Sequence, residues 1–228
     1  MRLRGMRTAA RERPLSMRKS LGWVVGLAAL VLLATSLPAA AKGTLDQSQT
    51  CPGPQGCNGA GLVFDSNQWA QTFTAGINGN LNQVNLLLYK IGSPHALTVQ
   101  IQSTTGGVPS GTVLASATVL AARVPTPSEN WVSVPFSQPA PSSAGVLYAI
   151  VLSAPTTFCP TNPPGPGSAC WYGWGGEGIT VGDPTGNPYP QGQALASPDG
   201  GVTWVVQGNA FDFAFQTFVA PRSPKKGG

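Results

Sequence analysis

The sequence predicts an all-β protein, an antiparallel β-sandwich or barrel, and three observations carry that expectation. Short apolar runs repeat with period two; Gly (29) and Pro (22) punctuate them; and no helical period of any length follows the first forty-one residues. Many short strands joined by Gly/Pro/Ser turns are the mark of a sandwich or barrel. Disorder would demand little apolar content, whereas Val, Leu, Ile and Phe recur here in ordered runs.

Residues 1–41 read as a cleavable signal peptide. Arg18 and Lys19 precede an apolar run over 21–34, which reaches Leu37-Pro38-Ala39-Ala40-Ala41. That is a basic segment, an apolar segment and a small-residue cleavage site, so cleavage is expected after Ala41 and the mature chain is secreted. The run falls short of the ~20 residues that span a bilayer, which disfavours the alternative of an uncleaved anchor. Met17 opens a compact leader of its own and is an alternative start to Met1.

Removing the leader also removes most of the positive charge. Seven of the thirteen basic residues lie before Ala41, leaving six against seven acids, a net of −1. Only Lys90 and Arg123 lie in the body of the chain, too few to neutralise phosphates, so a nucleic-acid partner is excluded. The remaining length suits one domain, able to bury about 70% of its unfolded surface. The expected organisation is signal peptide 1–41, an irregular disulfide-stapled lead-in 42–62, a β-sandwich domain 63–220, and a disordered basic tail 221–228.

The strands follow in order. Trp69, Gln71 and Phe73 alternate with Ala70, Thr72 and Thr74 up to Gly76. Residues 81–90 form a second strand, apolar enough at Leu86, Leu87 and Leu88 to be buried on both faces. Gly92-Ser93-Pro94 turns the chain into the alternating stretch 97–101. A loop over 106–111 feeds a strand over 112–120. In 131–136, Val132, Val134 and Phe136 share one face and Trp131 and Ser133 the other; Pro135 cannot donate to the ladder, so this strand is at an edge or bulged. Residues 146–153 are the most apolar and central strand. Strands over 171–174, 193–197, 202–206 and 211–218 complete the set, with Phe211, Phe213 and Phe215 on one face of the last.

All four cysteines lie in the exported part, where disulfides persist. Cys51 with Cys57 and Cys159 with Cys170 is the preferred pairing of the three that four cysteines allow. Their spacing is wrong for zinc, and the single His95 is remote.

Ser197-Pro198-Asp199-Gly200-Gly201-Val202-Thr203-Trp204 matches the Asp-box pattern. Asp199 is expected to accept turn amides, the glycines to supply positive φ, and Trp204 to pack back over the hairpin. A sialidase propeller repeats this box in every blade, and one copy with so few arginines argues for a structural hairpin.

From Gln68 onward the residue order resembles a bacterial exported domain of choice-of-anchor surface proteins, closest to the R type. The resemblance runs through Gln71-Thr72-Phe73-Thr74-Ala75-Gly76, Leu97-Thr98-Val99-Gln100-Ile101 and Gly107-Val108-Pro109-Ser110-Gly111-Thr112-Val113-Leu114-Ala115. It continues through Trp131-Val132-Ser133-Val134-Pro135-Phe136, Tyr148-Ala149-Ile150-Val151-Leu152, Asn187-Pro188-Tyr189, the Asp-box hairpin and Phe213-Ala214-Phe215-Gln216-Thr217. It implies a jelly-roll sandwich with no assigned activity. The proline-rich stretch between Cys159 and Cys170 departs from it, and no sorting motif or membrane segment follows Phe218, which favours release.

Trp171, Tyr172 and Trp174, with Tyr189, form the candidate ligand surface, since sugar rings stack on aromatic rings that a disulfide-pinned loop holds in place. The alternative makes Trp174 core and Trp171 a cover for the cysteine loop. Catalysis has thin support. Glu129 and Glu177 are the only glutamates after the leader and nothing in the sequence aims them at each other, while His95 is the only imidazole and sits in a turn. Asp65, Asp183 or Asp212 could assist a structural Ca²⁺, yet no spacing resembles a known calcium loop, so no cofactor is expected. The reading is a secreted, monomeric, non-catalytic module that leaves the membrane on cleavage and binds polysaccharide or cell-envelope glycan weakly. The alternative is a structural or adhesive protein with no small ligand.

Overall fold

The computed structural model describes residues 43–53, 56–155, 170–178, 187–208 and 211–222. The chain divides into two units, Met1–Ala39 and Ala40–Gly228, and the described residues belong to the second. The leader with its cleavage site, Cys159, Asp183 and residues 223–228 of the tail lie outside them.

Thirteen strands, numbered in chain order, form two antiparallel sheets among the described residues. The first sheet holds β1 (Thr44–Gln49), β2 (Gly59–Val63), β4 (Gly79–Ile91), β7 (Asn130–Ser142), β9 (Trp171–Gly178), β12 (Phe211–Phe213) and β13 (Phe215–Ala220). The second holds β3 (Gln68–Thr74), β5 (Leu97–Thr105), β6 (Val108–Val119), β8 (Leu147–Ser153), β10 (Ala194–Ser197) and β11 (Val205–Val206), in the order β11-β10-β3-β8-β5-β6. The pairings nest: β5 with β6, β4 with β7, β3 with β8, β2 with β9, and β1 with β13. A long antiparallel ribbon folded over itself in this way is a jelly roll, so the expected class holds. A 3₁₀ turn, Ala121–Arg123, joins β6 towards β7.

Period two decides what goes inside. Val132, Val134 and Phe136 of β7, Tyr148, Ile150 and Leu152 of β8, and Leu97, Val99 and Ile101 of β5 all enter one core with Phe73, Leu86, Leu88, Phe213 and Phe215. β8 lies between β3 and β5, the central place its composition predicts. β4 is buried on both faces as expected: Leu86 and Leu88 point into the core, while Leu87 is covered from outside by the Cys51–Cys57 loop and Ala214. Pro135 is accommodated because β7 has only β4 beside it and the register shifts between Leu81 and Gln83.

Besides β5, β7 and β9, which run longer than expected, four boundaries differ from expectation. The lead-in 42–62 is not irregular, because it contributes β1 and β2. β1 reads Thr-Leu-Asp-Gln-Ser-Gln without apolar alternation and is a strand because its backbone pairs with β13. The expected loop 106–111 shrinks to a turn at Gly106 and Gly107, both at positive φ, and β6 runs on from Val108. The strand expected over 202–206 is only Val205–Val206, since the Asp-box turn occupies the residues before it. Finally, 211–218 splits at Ala214, whose N–H donates to Gly175 O while its carbonyl accepts from Leu87 N, so the strand leaves β9 and joins β4.

Candidate functional site

Strand β9 carries three of the four aromatic residues expected to bind a ligand, and its alternation separates them. Tyr172 and Trp174 point inward and are fully buried. Trp174 stacks on Phe213 with centroids 4.3 Å apart and planes 15° apart, and its Nε1 donates to Ala214 O at 2.9 Å. The Tyr172 hydroxyl donates to the His95 carbonyl, and burial pushes its pKa up to about 12. Tyr189 is also interior: its ring meets Phe215 edge-on at 5.1 Å and its hydroxyl donates to Gln47 Oε1 at 2.8 Å. Burial first, then the charges of Asp46 and Asp212, push the Tyr189 phenol upward. A stacking surface made of Trp171, Tyr172, Trp174 and Tyr189 therefore does not form. Only Trp171, half-buried on the outer side, keeps contact with solvent.

The outer face of the first sheet offers other groups. Tyr89 pairs with Gly173, and its ring occupies the space a side chain at 173 would need. Gln83 donates to Asn85 and Asn85 to Gln216, each at 2.9 Å, a chain of amides across β4 and β13. Trp131 pairs with Leu87 on the same face, at the sheet edge, and is 38% exposed. Beside it runs a groove of about 320 Å³ lined by Arg123, Pro125, Asn130, Trp131 and Ser133 among others. Its walls are tied down: Lys90 N donates to Pro125 O at 2.9 Å, Arg123 Nη2 to Ser133 O at 3.1 Å, and Trp131 N to Asn130 Oδ1 at 2.8 Å. Sequence reasoning placed Trp131 on the outer face but did not join it to Arg123, because the 3₁₀ turn that returns Arg123 to β7 has no periodic signal.

The structure brings Glu129 and Glu177 to one face, which their loop-like sequence contexts do not suggest. Glu129 Oε2 lies 2.5 Å from where a Cβ on Gly175 would stand, and Glu177 follows Gly175 by two positions on the same side of β9. Their surroundings differ. Desolvation raises the Glu129 pKa, whereas Glu177 accepts from Gln49 Nε2 at 3.3 Å and lies against Gly53 of the disulfide loop. His95 is exposed in its turn, and Asp65 sits in a turn at φ 49°. Among the described residues, no three of His, Cys, Asp and Glu gather as a metal group.

Cys51 and Cys57 are bonded to each other as expected. Cys170 is disulfide-bonded too, and its expected partner Cys159 lies outside the described residues. The Asp-box turn forms as predicted. Asp199 Oδ1 accepts from Ser197 Oγ at 2.8 Å and Thr203 N at 2.9 Å, and Oδ2 accepts from Thr203 Oγ1 at 2.6 Å. Those bonds, led by the Thr203 hydroxyl, hold its pKa down at about 2. Gly200 and Gly201 have positive φ, and Trp204 covers Ala70, Ala149, Val151 and Leu195 on the outer face of the second sheet.

Asp212 is 1% exposed, and Gln71 reaches it across the sandwich. Gln71 Nε2 donates to Asp212 Oδ1 at 2.8 Å and its Oε1 accepts from Phe213 N at 2.8 Å, while Asp212 Oδ2 accepts from Tyr189 N at 2.9 Å. Desolvation outweighs these bonds and raises the Asp212 pKa to about 6. This pair belongs to the interior and presents no surface to a ligand.

No protein-family model and no curated protein matches the chain. Among solved structures it is similar to the cysteine protease and lectin-like domains of Cwp84, a surface layer associated protein of Clostridium difficile. That match has 15% identity and a TM-score of 0.44, and covers 69% of this chain. The chain accounts for 33% of the length of that structure.

Proposed function

We propose that this chain is an exported, non-catalytic β-sandwich module that binds polysaccharide or cell-envelope glycan through the outer face of its first sheet. The observation that carries the reading is Trp131, a large aromatic ring left 38% exposed on a sheet face, beside a groove with hydrogen-bonded walls. Sugars offer apolar C–H faces to such rings and hydroxyls to neighbouring amides, here Asn85, Gln83 and Gln216. The leader-like segment and the Cys51–Cys57 bond support an oxidising, extracellular setting, and the resemblance to choice-of-anchor domains supports an exported chain. No helix among the described residues is long and apolar enough to cross a membrane. The non-catalytic reading is supported by the unlike engagement of Glu129 and Glu177.

Native electrophoresis through gels containing a panel of polysaccharides tests the proposal. At least one polymer should retard the native chain, and Trp131→Ala should abolish that retardation while Trp171→Ala weakens it less. Free migration of the native chain through every gel would remove the reading. It would leave the rival, a structural or adhesive module without a small ligand, for which the burial of Tyr172, Trp174 and Tyr189 speaks.

A further inference from the structure

We infer that the Trp131 groove is a subsite for a carboxylate-bearing sugar, a uronate unit of an acidic polysaccharide, its ring on Trp131 and its carboxylate on Arg123. This rests on the glycan reading above and narrows its ligand. Arg123 sets the choice. Its guanidinium is positioned by one donor, Nη2 to Ser133 O at 3.1 Å, and no carboxylate among the described residues pairs with it. A guanidinium carries five N–H donors in a planar fork, so most of the fork is uncommitted, and a carboxylate is the acceptor that fits it two bonds at a time.

The neighbouring groups fit the same occupant. Asn130 spends its Oδ1 on Trp131 N and so offers its amide protons to sugar hydroxyls. Glu129, the nearest acid along the chain, turns its carboxylate onto Gly175 of β9, two strands away from β7, rather than onto Arg123. The opposite wall is set before any ligand arrives. Arg123 N donates to Leu120 O at 2.9 Å, Val124 N to Ala121 O at 3.1 Å, and Val124 itself is rooted in the core. Little ordering is left to be done on binding. The volume, about 320 Å³, suits a single-sugar subsite at the small end of ligand clefts.

The test compares the full chain with Arg123→Gln, Arg123→Lys and Trp131→Ala in gels containing polygalacturonate or neutral hydroxyethylcellulose. Polygalacturonate should hold the native chain at least about tenfold more tightly than the neutral polymer. Arg123→Gln should lower that affinity about tenfold and erase the preference, with Arg123→Lys between, because a point charge lacks the fork. Trp131→Ala, which changes no charge, should lose binding as well. The basic residues near both termini remain in every variant, so equal retardation of all four proteins means general polycation attraction and overturns the inference. Equal retention by the neutral polymer, insensitive to Arg123, overturns the uronate assignment while the glycan reading stands. Free migration of all four in both gels overturns the assignment, and the wider panel above then decides whether the glycan reading falls with it.

Discussion

Asp212→Asn is the perturbation whose consequence can be worked furthest. The native carboxyl is buried with two donors on it and no cation among its hydrogen-bond partners, and its pKa rises from 3.8 to about 6. A folded-state pKa above the unfolded value means that the folded protein keeps its proton longer. Stability is therefore greatest below about pH 4, falls as pH rises towards 6, and is flat above that. A rise of about two pKa units, at about 1.4 kcal/mol each, makes the fall about 3 kcal/mol. Asp46 and Glu129, also raised by burial, add to it in the same sense, and Asp199 acts oppositely but below pH 4. Asparagine at 212 cannot titrate, but its amide must face either Gln71 Nε2 or Tyr189 N, donor against donor, at a pH-independent cost of about 1–3 kcal/mol. The assay is urea unfolding of both proteins, disulfides intact, from pH 4 to pH 7. The native protein's advantage over the variant should shrink by about 2 kcal/mol across that range, the rest of the fall lying below pH 4. An advantage that stays constant with pH refutes the buried-charge argument.

Two further outcomes follow from the packing. Replacing Cys51 and Cys57 with Ser opens a loop of sequence separation 6 and uncovers Leu87; urea unfolding should show a loss of about 2 kcal/mol, with enhanced proteolysis near residue 53. Gly173→Ala drives a Cβ into the Tyr89 ring, so it should cost about 1–3 kcal/mol and change the near-ultraviolet tyrosine signal, whereas the same change at exposed Gly145, with open space around it but φ 79°, should cost about 1 kcal/mol and leave that signal alone.

The sandwich was legible wherever one face of a strand is buried and the other wet. Val132, Val134 and Phe136 against Trp131 and Ser133 is a pattern that only a half-buried strand produces, and the structure keeps it residue for residue. The Asp-box turn was legible because its hydrogen bonds are local. Strand β1 was not, since its polar side chains carry no period and its partner β13 is about 170 residues away along the chain. The aromatic run of β9 was legible as a strand but not as two faces, although the signal that separates them lies within it. Gly173 and Gly175 alternate with Tyr172 and Trp174, and in a two-faced strand that places bulk inside and bare backbone outside, where Tyr89 and the Glu129 carboxylate settle. The meeting of Arg123 with Trp131 depends on how a 3₁₀ turn folds back, which no periodicity encodes.

The division of the aromatics into an exposed reader and a buried core is best tested through the five tryptophan indole N–H resonances that remain after residue 41, during titration with oligogalacturonate. The Trp131 resonance should move progressively with ligand, while that of Trp174, bonded to Ala214 O inside the sandwich, stays where it is. A titration in which Trp174 or Trp171 moves and Trp131 does not would contradict the account.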